Sequence, residues 1–504
     1  MSNLKLDRRR LLFGSAAAAL SVGALPALQA AETDGGSKLP DKWDETFDVV
    51  IVGSGFAGRA AAAAAAQAGA KTVIFEKMPV AGGNSAINGG GYACWTDNRH
   101  MREKLGLGED SAELHKADCL KGGNFFNMPE LVDVLVNNAP EAMNWMLDEG
   151  GLELQNNIGR VGGHSAYRDH MAASNSGQSY LDALERIGRK YGAGKVRTRQ
   201  EVVRLYKDGT GRIVGVAVKS RRVEKNVRAL RGVVLAAGGF ARDVEYRLKL
   251  VPTLSAAYNS TNQPGATADT LMMALESGAD ALHLAFIQLY PTANPDGGII
   301  DKPALYPTRG PGFGAIFVTK AGKRFVSELA TRDVVSQAEI ATGDDRTWCV
   351  FSQAMVEKMT TQAEIDEYAG RGRVKRGETI EALAKAMDVP PAVLSETIAE
   401  HNKAVAAGED KAFGKPMTKA MLPIEAGPFY AVAQWPSVHH CQGGVRINSK
   451  AEVLDVRGKP IRGLYAAGEF VGGVHGNNRL GGNATSEAIV FGRIAGRNAA
   501  ASRA

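Results

Sequence analysis

The sequence predicts an α/β fold in which a discontinuous, Rossmann-like nucleotide-binding domain is interrupted by a second domain. Three apolar stretches near residues 50, 235 and 465 carry this prediction, because each has the composition of a buried strand and runs into a glycine. Such strands are typical of a parallel sheet covered on both faces. The 504 residues are more than three times a common domain length of about 150, so two or more packed units are expected.

Composition narrows the class of protein. Hydrophobic residues make up 44% and charged residues 23%, which is ordinary for a soluble globular chain. Glycine, at 59 residues, is the exception, and it predicts many tight turns or loops that lie against a cofactor. The net charge of +6 is too small to argue for nucleic acid. No zinc or haem-attachment spacing joins the four cysteines, so no metal site is expected; they are Cys94, Cys119, Cys349 and Cys441.

Residues 1–30 have the pattern of an export signal. Arg8, Arg9 and Arg10 precede a mildly apolar run rich in alanine, serine and glycine. The paired arginines resemble a twin-arginine signal, which serves proteins exported after folding. We therefore expect a periplasmic protein, with residues 31–44 as a linker. An uncleaved anchor helix is the alternative, since about 18 apolar residues approach the length of a membrane span.

Residues 47–76 read as a strand, a glycine turn, a helix, a strand and an acid. Gly53 is expected to make the tight turn, Gly55 to let backbone N–H groups approach a pyrophosphate, and Gly58 to permit close helix packing. Glu76 ends the second strand 18 residues after Gly58, where a carboxylate can reach a ribose hydroxyl. The pattern predicts a dinucleotide cofactor, either NAD or FAD.

The segments that follow favour FAD. Residues 77–91 are rich in glycine, as in FAD enzymes, and two later strands, at 233–240 and 463–469, look like the remaining contacts of flavoproteins with two dinucleotide-binding folds. A return to one cofactor from distant parts of the chain makes the FAD-binding domain discontinuous. We expect its two parts at 45–285 and 436–504, with an α+β capping domain inserted at 286–435.

Three blocks, at 322–333, 437–445 and 468–483, resemble the soluble fumarate reductase (flavocytochrome c) flavoprotein family, which includes urocanate reductase and related acrylate reductases. The likeness runs from about residue 45 to residue 500. It implies reduction of the C=C bond of an α,β-unsaturated carboxylate where the two domains meet, an arrangement suited to excluding water.

The resemblance also implies roles for single residues. Arg332 matches the family's proton-donating arginine, while His439 and Arg479 match the pair that grips the substrate carboxylate. Flavin N5 delivers hydride to the carbon β to that carboxylate, and the pair stabilises the enediolate charge. FAD is expected to be non-covalent. From the motifs and the resemblance together, its expected contacts are Gly53, Gly55, Ala57, Gly58, Glu76, Lys77, Gly82, Gly83, Asn84, Ser85, Gly89, Gly90, Val203, Ala237, Gly238, Asp269, His440, Gly468, Glu469, Arg479, Gly482, Asn483 and Ala484.

The proton relay departs from the family pattern. Arg309 stands where the family has a relay arginine, yet Tyr306 replaces the acid expected three residues earlier. Arginine holds its proton tightly, with a pKa above about 12, so a donor role for Arg332 needs a relay that replaces the proton at once. The alternatives for the missing acid are Asp296, Asp301 and Glu328.

The substrate side departs as well. Tyr290 stands where fumarate reductases carry a histidine that helps hold the second carboxylate. A phenol brings no positive charge, so Tyr290 favours urocanate, methacrylate or another acrylate over fumarate. The alternative is that Tyr290 is a packed aromatic and that other groups bind a second carboxylate.

An exported FAD reductase needs an electron donor, since NADH is not expected outside the cytoplasm. The chain has no haem motif, so we expect a separate periplasmic multihaem cytochrome c, fed from the quinol pool in anaerobic respiration. Contact with the membrane is then only indirect. Two alternatives stay open. One is an FAD-dependent dehydrogenase such as 3-ketosteroid 1,2-dehydrogenase, which would use tyrosine in place of Arg332. The other is a non-catalytic flavin electron-transfer protein.

Overall fold

The computed structural model describes residues 39–503, so the expected export signal at 1–30 lies outside the described residues. The strands are β1 (Glu45–Val52), β2 (Thr72–Phe75), β3 (Gly91–Ala93), β4 (Leu154–Gly159), β5 (Asp169–Ala172), β6 (Val196–Arg197), β7 (Glu201–Lys207), β8 (Ile213–Ser220), β9 (Val223–Leu235), β10 (Ala281–Leu282), β11 (Ile287–Ala293), β12 (Ile316–Val318), β13 (Thr347–Ser352), β14 (Val374–Gly377), β15 (Phe429–Cys441), β16 (Gly444–Arg446), β17 (Glu452–Leu454), β18 (Pro460–Ala466) and β19 (Val471–Gly472).

The helices alternate with the strands in the first third of the chain and cluster again after β11. They are α1 (Phe56–Gln67), α2 (Gly83–Ala86), α3 (Met101–Lys104), α4 (Ala112–Gly122), α5 (Pro129–Asp148), α6 (Gln178–Lys190), α7 (Val244–Leu250), α8 (Asp269–Glu276), α9 (Tyr306–Arg309), α10 (Arg332–Ala341), α11 (Gln353–Met359), α12 (Gln362–Gly370), α13 (Ile380–Met387), α14 (Pro391–Ala407) and α15 (Asn483–Ala501). Within residues 39–503, none of them combines the length and the apolar composition of a membrane span.

The main sheet has the order β17-β18-β9-β1-β2-β6, and β8 and β7 extend it from β9. β1 pairs in parallel with β2 on one side and with β9 on the other, and β18 pairs in parallel with β9. β1 and β18, which are far apart in the sequence, therefore flank β9 in one sheet, as the discontinuous FAD-binding fold requires. The predicted α/β class is confirmed.

Small residues let α1 and α15 pack closely. The alanines of α1 are buried, and glycines of α15 face their carbonyls. A Cβ atom added to Gly496 would lie 2.1 Å from the carbonyl oxygen of Ala61, and one added to Gly492 would lie 2.5 Å from that of Ala57. Because there is no room for larger side chains, this contact fixes α1 and α15 relative to each other.

A second sheet has the order β11-β15-β13-β12, with β14 also paired to β15. It has its own apolar core, which includes Phe317, Phe351 and Tyr430. β15 is 13 residues long and continues past this core to His439 and His440. The expected domain boundary at residue 435 thus falls inside a continuous strand, which joins the second sheet directly to the site.

A third, small sheet has the order β3-β5-β4. Its central strand begins at Asp169, which pairs with Ala93 of β3 and Gly159 of β4. The sheet contacts α15 through β3, so it lies beside the helix that follows the late glycine-rich loop.

Candidate active site

A cavity of about 1890 Å³ is lined by residues from the main sheet, the small sheet and the second sheet. Sites for single small molecules usually measure roughly 300–1000 Å³, so this cavity has room for a dinucleotide together with a substrate. All five residues predicted to carry the chemistry line it; they are Tyr290, Arg309, Arg332, His439 and Arg479.

The first glycine turn has the geometry that a pyrophosphate needs. Gly53 has a φ of +100°, and a Cβ atom there would lie 2.2 Å from the carbonyl oxygen of Ala236. A Cβ atom on Gly58 would lie 2.0 Å from the carbonyl oxygen of Gly53. Only glycine fits either position, and the turn leads directly into the N-terminus of α1 at the cavity. Backbone N–H groups and the helix dipole there favour bound phosphate.

Glu76, at the end of β2, has the chemistry of a ribose acceptor. Its carboxylate accepts hydrogen bonds from the Ser54 hydroxyl at 2.6 Å, from the Ser54 backbone N–H at 3.2 Å and from the Met78 backbone N–H at 2.9 Å. It lines the cavity although only 7% of the residue is exposed. An acceptor of this kind fits hydroxyl donors, so the residues present fit FAD at this end of the cavity.

The late part of the FAD-binding fold brings a second helix N-terminus to the same cavity. Gly482, with a φ of +77°, precedes α15, and Ala484 lines the cavity in its first turn. Nearby, Glu469 accepts a hydrogen bond from the Cys441 backbone N–H at 2.9 Å. Burial raises the pKa of Glu469 to about 7. These elements would hold the end of the cofactor that lies nearest the predicted catalytic residues.

Most of the predicted cofactor contacts line the cavity; they are Gly53, Gly55, Ala57, Glu76, Lys77, Gly83, Asn84, Ser85, Gly89, Ala237, Gly238, His440, Gly468, Glu469, Arg479, Gly482 and Ala484. The others do not line it; they are Gly58, Gly82, Gly90, Val203, Asp269 and Asn483. Val202 lines the cavity in place of Val203, whose side chain is exposed. Asp269 forms an ion pair with Lys77 at 2.9 Å.

The predicted carboxylate-binding pair is in direct contact. Arg479 Nη2 and His439 Nε2 are 3.0 Å apart, and His439 Nδ1 is 2.7 Å from Thr261 Oγ1. Because a guanidinium can only donate, Nε2 is the acceptor and the proton of the imidazole lies on Nδ1. Burial and the charges of Arg332 and Arg479 hold the pKa of His439 well below its usual value. His439 is therefore neutral, and Arg479 carries the positive charge of the pair.

The pKa of the Arg479 guanidinium is lowered. Only 6% of the residue is exposed, and its Nε atom is buried without a hydrogen-bond partner among the described residues. Burial, with the charge of Arg332 as the next cause, lowers the pKa of Arg479 to about 9. A buried cation with unused donors is a binding site for a carboxylate.

Arg332 is the first residue of α10 and lines the same cavity. Its Nη1 donates to Gln288 Oε1 at 3.3 Å, and its guanidinium lies 4.8 Å from the centre of the Tyr290 ring. Burial lowers the pKa of Arg332 from its usual value. No ion pair holds this guanidinium among residues 39–503, so its charge is directed at the cavity.

Gln288 was not predicted, although it positions both arginines. Its Nε2 donates to the carbonyl oxygen of Arg479 at 3.0 Å, while its Oε1 accepts from Arg332. Gln288 is buried in β11, two residues before Tyr290. A glutamine in an apolar strand is the one signal in the sequence that could have indicated this bridge, because a buried amide needs partners.

Tyr290 forms a neutral aromatic wall of the cavity. Its hydroxyl is 2.6 Å from Thr308 Oγ1, and its ring centre is 5.0 Å from that of His439. The hydroxyl is thus already hydrogen-bonded within the protein, and the ring face is occupied by Arg332.

The expected relay acids all have partners elsewhere. Asp301 pairs with Arg373 at 2.8 Å, Glu328 pairs with Arg324 at 2.7 Å, and Asp296 is mostly exposed and 3.6 Å from Arg346. Arg309 donates to the Met359 carbonyl oxygen, and the hydroxyl of Tyr306 donates to Glu364. None of these contacts involves Arg332.

Comparisons with known proteins identify the family. The model of the FAD binding domain family matches residues 48–485. The acrylate reductase flavoprotein subunit of Shewanella woodyi is 37% identical over 99% of each chain. The urocanate reductase of Eggerthella lenta is 36% identical, over 92% of this chain and 76% of its own. Among solved structures, a flavocytochrome c3 fumarate reductase in its open conformation has 36% identity and a TM-score of 0.75, over 91% of this chain and 79% of its own.

The glycine turn gives a direct test of the cofactor site. We expect Gly53→Ala to lose most of its bound FAD, because the new Cβ atom would lie 2.2 Å from the carbonyl oxygen of Ala236 and displace the turn. Gly69→Ala is the matched control, since Gly69 also has a positive φ in the same unit but has open space around it. The measurement is visible flavin absorbance per protein. Equal flavin content in the two variants would contradict the assignment.

Proposed function

The chain belongs to the FAD-binding family of fumarate-reductase-type flavoproteins and is an FAD-dependent enoate reductase; from this premise we propose that its substrate is a mono-carboxylic enoate such as urocanate, methacrylate or another acrylate. The observation that carries the proposal is the neutral wall formed by Tyr290, whose hydroxyl is bound to Thr308. One carboxylate faces Arg479 and His439, whereas the Tyr290 side chain contributes no positive charge of its own for a second one.

The site binds and polarises the carboxylate. Arg479 supplies the charge, and His439 is held in one tautomer by Thr261, so that both groups keep their orientation as negative charge builds up on the substrate. When bound, FAD supplies the hydride that reduces the carbon β to the carboxylate.

Arg332 supplies the proton to the carbon α to the carboxylate. Burial has lowered its pKa, which brings an otherwise reluctant acid closer to the working range of a general acid. Its hydrogen bond to Gln288 and its place over the Tyr290 ring hold the guanidinium in one position at the cavity. The substrate is therefore protonated on the side where Arg332 lies.

The reaction is tested by anaerobic oxidation of reduced methyl viologen, with fumarate, urocanate, methacrylate and cinnamate offered separately. We expect turnover with a mono-carboxylate and a loss of about 10²–10⁴-fold in kcat for Arg332→Ala, because a general acid contributes about this factor. If the alanine variant loses FAD, kcat is measured on Arg332→Lys instead, because lysine keeps the positive charge. Arg371→Ala, on an exposed side chain, is the control. Wild-type protein that reduces none of the four would contradict the proposal and favour a dehydrogenase.

Substrate choice is tested at Tyr290. We expect Tyr290→His to raise kcat/KM for fumarate relative to methacrylate by about tenfold or more, since a hydrogen bond to a charged group is worth about 1.5–3 kcal/mol. Tyr290→Phe keeps the ring without the hydroxyl and should keep the wild-type preference. A wild-type enzyme that prefers fumarate, or a histidine variant with an unchanged ratio, would show that Tyr290 does not select the substrate.

We also propose that the enzyme is periplasmic, exported by the twin-arginine route, and that a separate multihaem cytochrome c reduces it in anaerobic respiration. The supporting observation is the arginine-led apolar segment at residues 8–28. We expect no turnover of an enoate with NADH alone, and turnover when a dithionite-reduced multihaem cytochrome c is added. Rapid turnover with NADH, indifferent to the cytochrome, would contradict the proposed donor.

A further inference from the structure

Asp169 is an acid at the site that no motif indicated. It begins β5, and its position in the middle of the small sheet places its side chain at the cavity. Only 8% of the residue is exposed. It is therefore held by the backbone of three strands and not by a flexible loop.

Backbone packs tightly against the carboxylate. A Cβ atom on Gly91 or on Gly482 would lie 2.6 Å from Asp169 Oδ1, so no larger residue fits beside it. Oδ1 is fully buried, and no residue within 39–503 forms a hydrogen bond or ion pair with the Asp169 carboxylate. A buried carboxyl group without partners is costly, and its retention needs a reason.

The surroundings of Asp169 are strongly positive. The titratable and charged groups that interact electrostatically with it are His170, Tyr180, Arg309, Arg332 and Arg479. His170 is turned away, because its two ring nitrogens contact Asp97 at 3.3 Å and Cys94 at 3.6 Å. The three arginines of the cavity are therefore the cations that remain to interact with the Asp169 carboxylate.

Asp169 is poised to exchange a proton near neutral pH. Burial raises its pKa to about 6, against the opposing charges of His170 and the arginines. A general acid works best when its pKa lies near the operating pH. The negative charge of Asp169 in turn raises the pKa of Arg332, whereas burial lowers it. The two groups are therefore coupled across the cavity that both of them line.

We propose that Asp169 supplies the proton that restores Arg332 after each turnover, in place of the acid that Tyr306 has replaced. The inference rests on the proposed function, in which Arg332 protonates the substrate. In this step the O–H bond of the Asp169 carboxyl breaks and an N–H bond forms on the neutral guanidine of Arg332, directly or through one water. The Asp169 carboxylate then takes a proton from solvent. The transfer is downhill, because a neutral guanidine is a far stronger base than a carboxylate.

The test is Asp169→Asn, which keeps the shape of the side chain but has no acidic proton. We expect kcat for a mono-carboxylic enoate to fall about 100-fold or more, with little change in the Kd of the substrate. The donating form is the protonated acid, which is present below its pKa and lost above it. The wild-type kcat should therefore decline as pH rises through the pKa of Asp169 in the substrate complex, and the variant should lack this decline.

Glu339→Gln is the matched control. Glu339 is also buried, with a pKa raised to about 8, and it lies on α10 seven residues after Arg332, but it is hydrogen-bonded to Thr347 and Gln434. We expect wild-type kcat and pH dependence for this variant. Wild-type behaviour of Asp169→Asn, or an equal loss in kcat and in substrate binding, would overturn the proposal.

Two further measurements keep the outcomes distinct. If Asp169→Asn loses its FAD, Asp169→Ala with added formate replaces it; restoration of kcat by formate supports proton supply, and no restoration overturns it. If Arg332→Ala is inactive while Asp169→Asn is fully active, the inference about Asp169 alone is wrong. If the wild-type protein reduces no enoate, the proposed function fails, and the role of Asp169 fails with it.

Discussion

Positive charge placed deep in one cavity is the constraint on which the rest of the site depends. Arg332 and Arg479 lie there without a carboxylate in direct contact among the described residues. Removing a cation from water is expensive unless an anion compensates it. The site therefore has its strongest interaction with a carboxylate ligand. Burial lowers the pKa values of His439 and of both arginines, and the charge of Arg332 adds to this effect at His439 and Arg479.

The surrounding fold holds this charge in place from three directions. β15 carries His439 where it pairs with β11 in the second sheet, the loop before α15 carries Arg479, and α10 begins with Arg332. Gln288 ties the last two together with one amide group. Each cation is thus held by backbone that is paired or packed elsewhere, which limits how far the groups can relax apart. Orientation is fixed before a ligand arrives, and such preorganisation is what makes electrostatic stabilisation effective.

Sequence patterns predicted those parts of the site whose chemistry is local. The glycine turn at Gly53 and the acid at Glu76 belong to one strand-helix-strand unit, so their spacing alone indicated a dinucleotide. Arg332, His439 and Arg479 were found through family motifs. Asp169 and Gln288 were not predicted because they come to the site only when β5 and β11 meet there from distant parts of the chain. For Tyr306, the sequence indicated that an acid was absent, whereas only the fold shows that its hydroxyl reaches Glu364.

The order of strands in the main sheet has a consequence for biosynthesis. β1 is made early, whereas its neighbour β9 and the next strand β18 come from residues 223–235 and 460–466. The helix α15, which packs on α1, is made after all of these strands. Domains commonly fold from the N-terminus as the ribosome releases them. In this fold, the packing around β1 and α1 is complete only when α15 has been made, whereas the second sheet can form before then. The flavin cavity is therefore completed only after translation has passed residue 488, and a nascent chain stalled before that point has no complete site for the cofactor.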